Sequence, residues 1–333
     1  MRLSDVPEAW TVAPEPPAPP LRDLFRNGAA RQAALKYHVE SRALGLLQTG
    51  LHHALRPLPV PWLSAFGAAL APIPERANSH RPYVAAMART LARLRPDLAE
   101  DAAAQARVLQ AWWRNTARAY IEFSAIPKRL HPPHFELRGQ EHLDEAVARG
   151  RPVVFTSVHL GGWEALGAWL RVAGPLPGFA LYQPQSDRYQ NRLITSVRRR
   201  YDGVALPAAP ETPRRTMRLI AGGASLVLFI DEVISGRSRF PLFGRELTPR
   251  SNVIAAAKLS HHFAMTVVPC AMEHTDGARL ILTFHPPIMP PDKQPEPAWS
   301  SDLIAQLDAL YDPLIRARPE QWYMLAEARL AEP

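Results

Sequence analysis

From Pro132 onward the sequence alternates short, wholly apolar runs with segments of helical period, and nothing else limits the possible fold as much. PVVFTSVH, GFALYQP, GVALP, SLVLFID, AMTVVPCAMEH and ARLILTFHPP read as strands. Between them GWEALGAWLRVAG, RYQNRLITSVRRRY, TPRRTMRLIAGG and NVIAAAKLSHH carry apolar residues at three- and four-residue intervals and read as helices. A strand that is apolar on both faces must be covered on both faces. The expected fold is therefore α/β: a mixed, mostly parallel central sheet flanked by helices. Two closing helices are expected, at Pro297–Arg316 and Pro319–Arg329.

Upstream, Lys36 to Phe123 keeps a helical period throughout, with prolines at 57, 59, 61, 72 and 74 marking the breaks. Residues 1–34 contain PEPPAPP and little apolar periodicity, which predicts a flexible, loosely attached arm. The expected division is an arm (1–34), a helical N-terminal section (35–130) and an α/β core (131–333).

The 333 residues carry a net charge of +8, almost all of the positive side being arginine. Such a surface attracts anions, and arginine suits bidentate phosphate contacts. Nucleic acid is not expected, because no binding motif accompanies the basic run at 188–201. The single cysteine, Cys270, rules out an intrachain disulfide framework. No apolar run is long enough to span a bilayer, and no secretory signal opens the chain. The nearest candidate, Ala43–Pro74, is interrupted by His52, His53, Arg56 and prolines, a pattern suited to lying in a membrane interface. His261, His262, His274 and His285 lack metal-ligand spacing, and neither a G-x-G-x-x-G nor a P-loop is present. No metal and no cofactor are expected. Trp112 and Trp113 read as packing residues.

Chemistry concentrates at VVFTSVH-LGG-WE. The strand delivers His159 to the carboxyl rim of the sheet, where sites of α/β folds gather. Gly161 and Gly162 permit a tight turn and close approach of a substrate to backbone. Glu164 falls in the first turn of the next helix, five residues from the histidine. That spacing lets the chain fold back so that the carboxylate fixes the imidazole tautomer. His159 then serves as general base toward an attacking hydroxyl, with free N–H groups at the helix start stabilising the oxyanion. Asp231, at the end of SLVLFID, belongs on the same rim.

HLGGWE resembles the H-x-x-x-x-[DE] motif of glycerolipid acyltransferases. More narrowly, it is similar to the bacterial lipid A biosynthesis (lauroyl and myristoyl) acyltransferases, whose motif often reads H-x-G-N-W-E. LYQP at 181–184, FIDE at 229–232, the run PLFGRELTPRSNVIAAAKLSHHFAMTVVP at 241–269 and PEQWYML at 319–325 follow in the family's order. The resemblance implies transfer of a fatty acyl group from acyl carrier protein or coenzyme A to a polar membrane lipid, by a peripheral enzyme at the cytoplasmic face of the inner membrane. It carries His159 and Glu164 over as the catalytic pair. Asp231, Gly161, Gly162, Gly244 and Thr248 carry over as substrate-site residues, with Arg200 and Arg214 as candidates for phosphate contacts. Gln183 stands for the usual Arg of Y-R-P and Glu232 for a Gln. Arg250 and Ser251 stand where Gly is common, and the end reads LAEARL instead of a basic triplet. These departures leave the acceptor open. Two other readings stay open as well: a non-catalytic lipid- or carrier-binding homologue, and a thioesterase or hydrolase using the same pair. No G-x-S-x-G nucleophile elbow supports the last.

Overall fold

The computed structural model describes residues 3–234, 236–275, 278–291, 294–328 and 330. Helices α1 (Glu8–Thr11), α2 (Ala29–Leu35), α3 (Ser41–Leu55), α4 (Val60–Leu70), α5 (Pro72–Asn78), α6 (Pro82–Leu94), α7 (Ala102–Glu122) and α8 (Ile126–Arg129) come first. Then follow β1 (Phe135–Arg138), α9 (Gln140–Ala148), β2 (Val153–Ser157), α10 (Glu164–Val172), β3 (Gly178–Tyr182), α11 (Arg188–Arg199), β4 (Val204–Pro207), α12 (Thr212–Ala221) and β5 (Ser225–Phe229). A short hairpin, β6 (Val233–Ile234) and β7 (Arg237–Ser238), precedes α13 (Asn252–His262), β8 (Thr266–His274), β9 (Leu280–Phe284) and α14 (Glu296–Ala317).

The sheet has seven strands in the order β1-β9-β8-β2-β5-β3-β4, and only the β8–β9 pair is antiparallel. This is the expected mixed, mostly parallel sheet. Alternate residues of its strands feed two buried clusters. Val154, Leu226, Leu228 and Val267 pack with α13, α14 and Trp112 on one face. Phe155, Val227, Val268 and Cys270 pack with α9 and α10 on the other. Every residue of β2 is buried, which is why its sequence shows no polar alternation.

Several elements depart from expectation, among them α9, which the sequence reading did not mark. β1 lies at the sheet edge, and its short FELR run, with two charged residues in four, gives little strand signal. The β6–β7 hairpin is too short to show a period. The expected last helix at Pro319–Arg329 is instead two 3-10 segments, Pro319–Gln321 and Tyr323–Ala326. Trp322 between them is extended (φ −82°, ψ 104°), which breaks the helix and turns its indole into the core. Arg329, the end of that expected helix, lies outside the described residues.

The proline-rich arm is laid along α11, α12 and β3 by specific contacts. Leu3 is buried in the main core. The Ala13 N–H donates to the Tyr182 hydroxyl (3.2 Å), Glu15 pairs with Arg192, and Glu8 pairs with Arg199. Arg215 and Arg218 stack over the Trp10 ring at 5.0 and 5.7 Å. Met1 and Arg2 lie outside the described residues.

The helical section meets the sheet through α7. At Gly67 of α4 a Cβ would stand 2.8 Å from the Arg118 Cα, so the crossing of α4 and α7 needs glycine there. At the C-terminal end of α7, Glu122 is buried with Arg129 of α8 and His274 of β8; its Oε1 lies 3.1 Å from the His274 Nε2. Arg129 also donates to the Ala278 carbonyl (2.9 Å). Burying charge is costly unless each ion finds its partners, and removing one strands the other. Glu122→Ala is therefore expected to lower stability by about 3–5 kcal/mol, measured by chemical denaturation against the parent protein.

Candidate active site

Parallel register fixes where the two rim residues meet. Ser157 of β2 pairs with Phe229 of β5, and each chain then runs two residues further, to His159 and Asp231. The equal offset brings the two together. The Asp231 carboxylate accepts the His159 backbone N–H at 2.8 Å through Oδ2 and faces the imidazole Nδ1 at 2.7 Å through Oδ1. With a carboxylate as acceptor, Nδ1 carries the proton and Nε2 keeps its lone pair. Oδ2 accepts a second bond, the third to the carboxylate, from the Trp322 indole N–H at 2.8 Å. Asp231 is fully buried, while the His159 side chain stays one-fifth exposed (20%). The imidazole is sandwiched: Phe229 stacks on it at 4.3 Å, and Trp163 meets it edge-on at 5.8 Å.

Glu164 does not make the contact its spacing predicts. Its Oε1 accepts from Arg198 Nη2 at 2.7 Å, and the carboxylate at the imidazole is that of Asp231. The correction has a geometric cause. Glu164 opens α10, and its pairing partner comes from α11, which follows the next strand. Arg198 also sits 5.1 Å over the Tyr182 ring. Arg198 was missed in the sequence because one arginine in VRRRY looks like the next.

The glycine turn is tightly cast. Gly161 has φ +53°, and a Cβ there would stand 2.7 Å from the His274 backbone nitrogen. A Cβ on Gly162 would meet Leu280 at 2.6 Å. The Gly161 N–H is engaged, donating to the Gln321 carbonyl at 3.1 Å, so it is not among the free donors expected at the helix start. The Tyr323 N–H in turn donates to the His159 carbonyl (2.9 Å), and Leu160 bridges Trp322. The 3-10 segments at the C-terminus thus line the back of the turn.

The remaining expected site residues are scattered. Gly244 (φ +79°) and Thr248 lie in the loop before α13, and the Thr248 hydroxyl is buried without a partner among the described residues. Arg200, at the end of α11, meets the His52 Nε2 at 3.2 Å, across toward α3. Arg214 is exposed on α12, which follows the edge strand β4. Glu232 accepts the Asn252 N–H (2.6 Å); burial pushes its carboxyl up to about 8, and the neighbouring Asp231 charge adds to the rise. The Cys270 thiol is buried against the Thr156 carbonyl, and burial raises its pKa far above the usual thiol range. Among the described residues no cluster of three or more His, Cys, Asp or Glu has the arrangement of a metal site.

A cavity of about 520 Å³ is walled by residues that include Tyr83, Trp112, Trp113, Tyr120, Val233 and Tyr323. Trp163 packs on Tyr323 with ring centroids 4.6 Å apart, so the cavity adjoins the residues around His159. Trp112 and Trp113 are buried, as packing residues, and also form its wall.

Among solved structures, the 1-acyl-sn-glycerophosphate acyltransferase PlsC from Thermotoga maritima is similar at 15% identity and a TM-score of 0.37, over 64% of this chain and 88% of that one. No curated protein matches the sequence. The family model described as bacterial lipid A biosynthesis acyltransferase matches residues 31–329. With nine-tenths of its length so matched, the chain belongs to the bacterial lipid A biosynthesis acyltransferase family and is an acyltransferase.

Proposed function

We propose that the protein moves a fatty acyl group from an acyl thioester to a hydroxyl or amine of a polar membrane lipid, with His159 as general base. The observation that carries this reading is the buried Asp231 carboxylate on Nδ1, which leaves Nε2 as the lone pair at a partly open rim. Nε2 takes the proton of the attacking acceptor group as its oxygen or nitrogen bonds to the thioester carbonyl carbon. The tetrahedral oxyanion collapses, the carbon–sulfur bond breaks, and the imidazolium returns the proton to the leaving thiolate. Asp231 holds the ring and stabilises the imidazolium, the role first expected of Glu164. The N-terminal end of α10 stands beside the turn, and its dipole favours the developing negative charge.

The Glu164–Arg198 pair fits a second task. An arginine held at the rim by a carboxylate presents its remaining donors in a fixed plane, suited to an anionic group on donor or acceptor. The aromatic cavity suits the acyl chain, since it is lined by large aromatic rings and its wall residue Tyr323 packs on Trp163, which meets the imidazole edge-on. Membrane docking is supported by the helical section. Leu44, Leu47 and Leu51 form an exposed stripe on α3, Trp62 and Phe66 form one on α4, and Ile73 is exposed on α5. Contiguous exposed apolar side chains of this kind mark an interaction surface. No helix among the described residues is long and apolar enough to cross a membrane. Acyl carrier protein and coenzyme A are both anionic donors that suit the net charge of +8.

His159→Ala should cut acyl transfer by at least about 100-fold in a protein that melts like the parent, measured by mass spectrometry of lipids incubated with acyl-carrier or acyl-coenzyme A donors. Near-normal transfer by a folded variant would remove the base. Free fatty acid as the sole product would favour the hydrolase reading, and no product the binding homologue.

Asp231→Asn should approach the His159→Ala loss in kcat, whereas Glu164→Gln should lose less and chiefly in KM. The reverse order would restore Glu164 to the imidazole.

Glu232 supplies a pH test. Its folded pKa of about 8 lies above the unfolded value of 4.5, so the folded state binds more protons between the two. Stability contributed by the neutral form is then lost as pH rises through that window. Relative to the parent, Glu232→Gln should gain stability from pH 5 to pH 8, and parallel melting curves at both pH values would refute this.

A further inference from the structure

The Asp231 carboxylate has one partner that neither strand supplies. We infer that Trp322 is a positioning residue for the transfer reaction: its indole N–H sets the angle and charge of Asp231, and through it the orientation of His159. This deepens the reading above and rests on His159 being the base.

Asp231 and Trp322 are both wholly buried. The bond between them, at 2.8 Å, goes to Oδ2, the oxygen that also accepts the His159 backbone N–H. Oδ1 is thereby left to the imidazole alone. A carboxylate free to rotate would exchange its two oxygens between ring and backbone. Two donors on Oδ2, from opposite directions in the chain, remove that freedom. A buried anion also needs each lone pair met, because an unmet one carries the full desolvation cost.

The surroundings of Trp322 make its position independent of its own packing. The Gln321 carbonyl accepts the Gly161 N–H, and the Gln321 side chain bonds both backbone groups of His274, at 2.8 Å each. The Tyr323 N–H holds the His159 carbonyl. On the other side, the Trp112 indole N–H donates to the Trp322 carbonyl at 2.9 Å. Three successive residues therefore grip the catalytic turn, and the middle one reaches its carboxylate. Phe243 meets the Trp322 ring edge-on at 5.6 Å, so a phenyl ring would still find aromatic contact there.

The test is Trp322→Phe, which deletes the N–H and keeps an aromatic ring. Loss of one hydrogen bond to a charged acceptor should lower kcat about 10-fold with KM little changed. In an Asp231→Asn background the same substitution should cost little more, since coupled residues are not additive. A readout independent of substrate is the low-field proton signal of the His159 Nδ1–H, assigned by its loss in His159→Ala. It should move in Trp322→Phe. An unmoved signal in a folded Trp322→Phe protein overturns the inference whatever the activity. A moved signal in a protein without transferase activity upholds it and counts against the proposed function instead. Should Trp322→Phe fail to fold, the Trp322 indole N–H signal is followed in Asp231→Asn: a shift upholds the contact, and no shift overturns it.

Discussion

A single buried carboxylate, that of Asp231, joins the three parts of the chain that make the site. It is fully enclosed, so it must be met by donors on every side. Those donors come from His159 just beyond β2, through both its backbone N–H and its imidazole, and from Trp322 near the C-terminus, while Asp231 itself follows β5. None of these segments is near another in sequence. Parallel pairing of β2 with β5 sets the first contact, and the 3-10 turn after α14 sets the last. A slip of one residue in that pairing would part the histidine from its acid and exchange the side chains of β2 between the two buried faces.

The helical section takes part in the same construction. α7 holds the C-terminal segment through the Trp112 indole on the Trp322 carbonyl, through Asn115 on the Glu320 carbonyl, and through the Tyr120 and Tyr323 hydroxyls 2.8 Å apart. At its end, Glu122 reaches His274, whose backbone abuts the Gly161 turn. The helix that walls the cavity thus also braces the turn carrying the histidine. The exposed apolar stripes of α3 and α4 belong to this same section, so they and the cavity share one scaffold.

How much of this was legible in the sequence varied with the kind of signal. The strands from β2 to β5, β8 and β9 were legible because burial keeps their runs mostly apolar. The strand end at His159 and the turn at Gly161 and Gly162 were legible because an apolar run that meets a glycine pair stops there. Asp231 was placed on the right rim but given a lesser part, and Glu164 was given the place at the imidazole that Asp231 occupies. Spacing along the chain favours the nearer acid, whereas register between strands favours the acid opposite. Arg198 stood in a run of three arginines whose helical phase alone separates the one facing Glu164 from its neighbours. The proline-rich arm showed no periodicity, yet it is held by single contacts such as Glu15 on Arg192 and Trp10 under Arg215, which leave no pattern to read.

The sequence by itself determined the class of fold, the strand end that carries His159 and the glycine turn after it, because these follow from local periodicity and from glycine's freedom at one turn. Only the tertiary structure decided which carboxylate faces the imidazole, which arginine pairs with Glu164, and that a tryptophan more than 90 residues beyond Asp231 closes the site. Those choices depend on strand register and on the break at Trp322. Both are settled by the packing of distant segments, for which the order of residues along the chain carries no local sign.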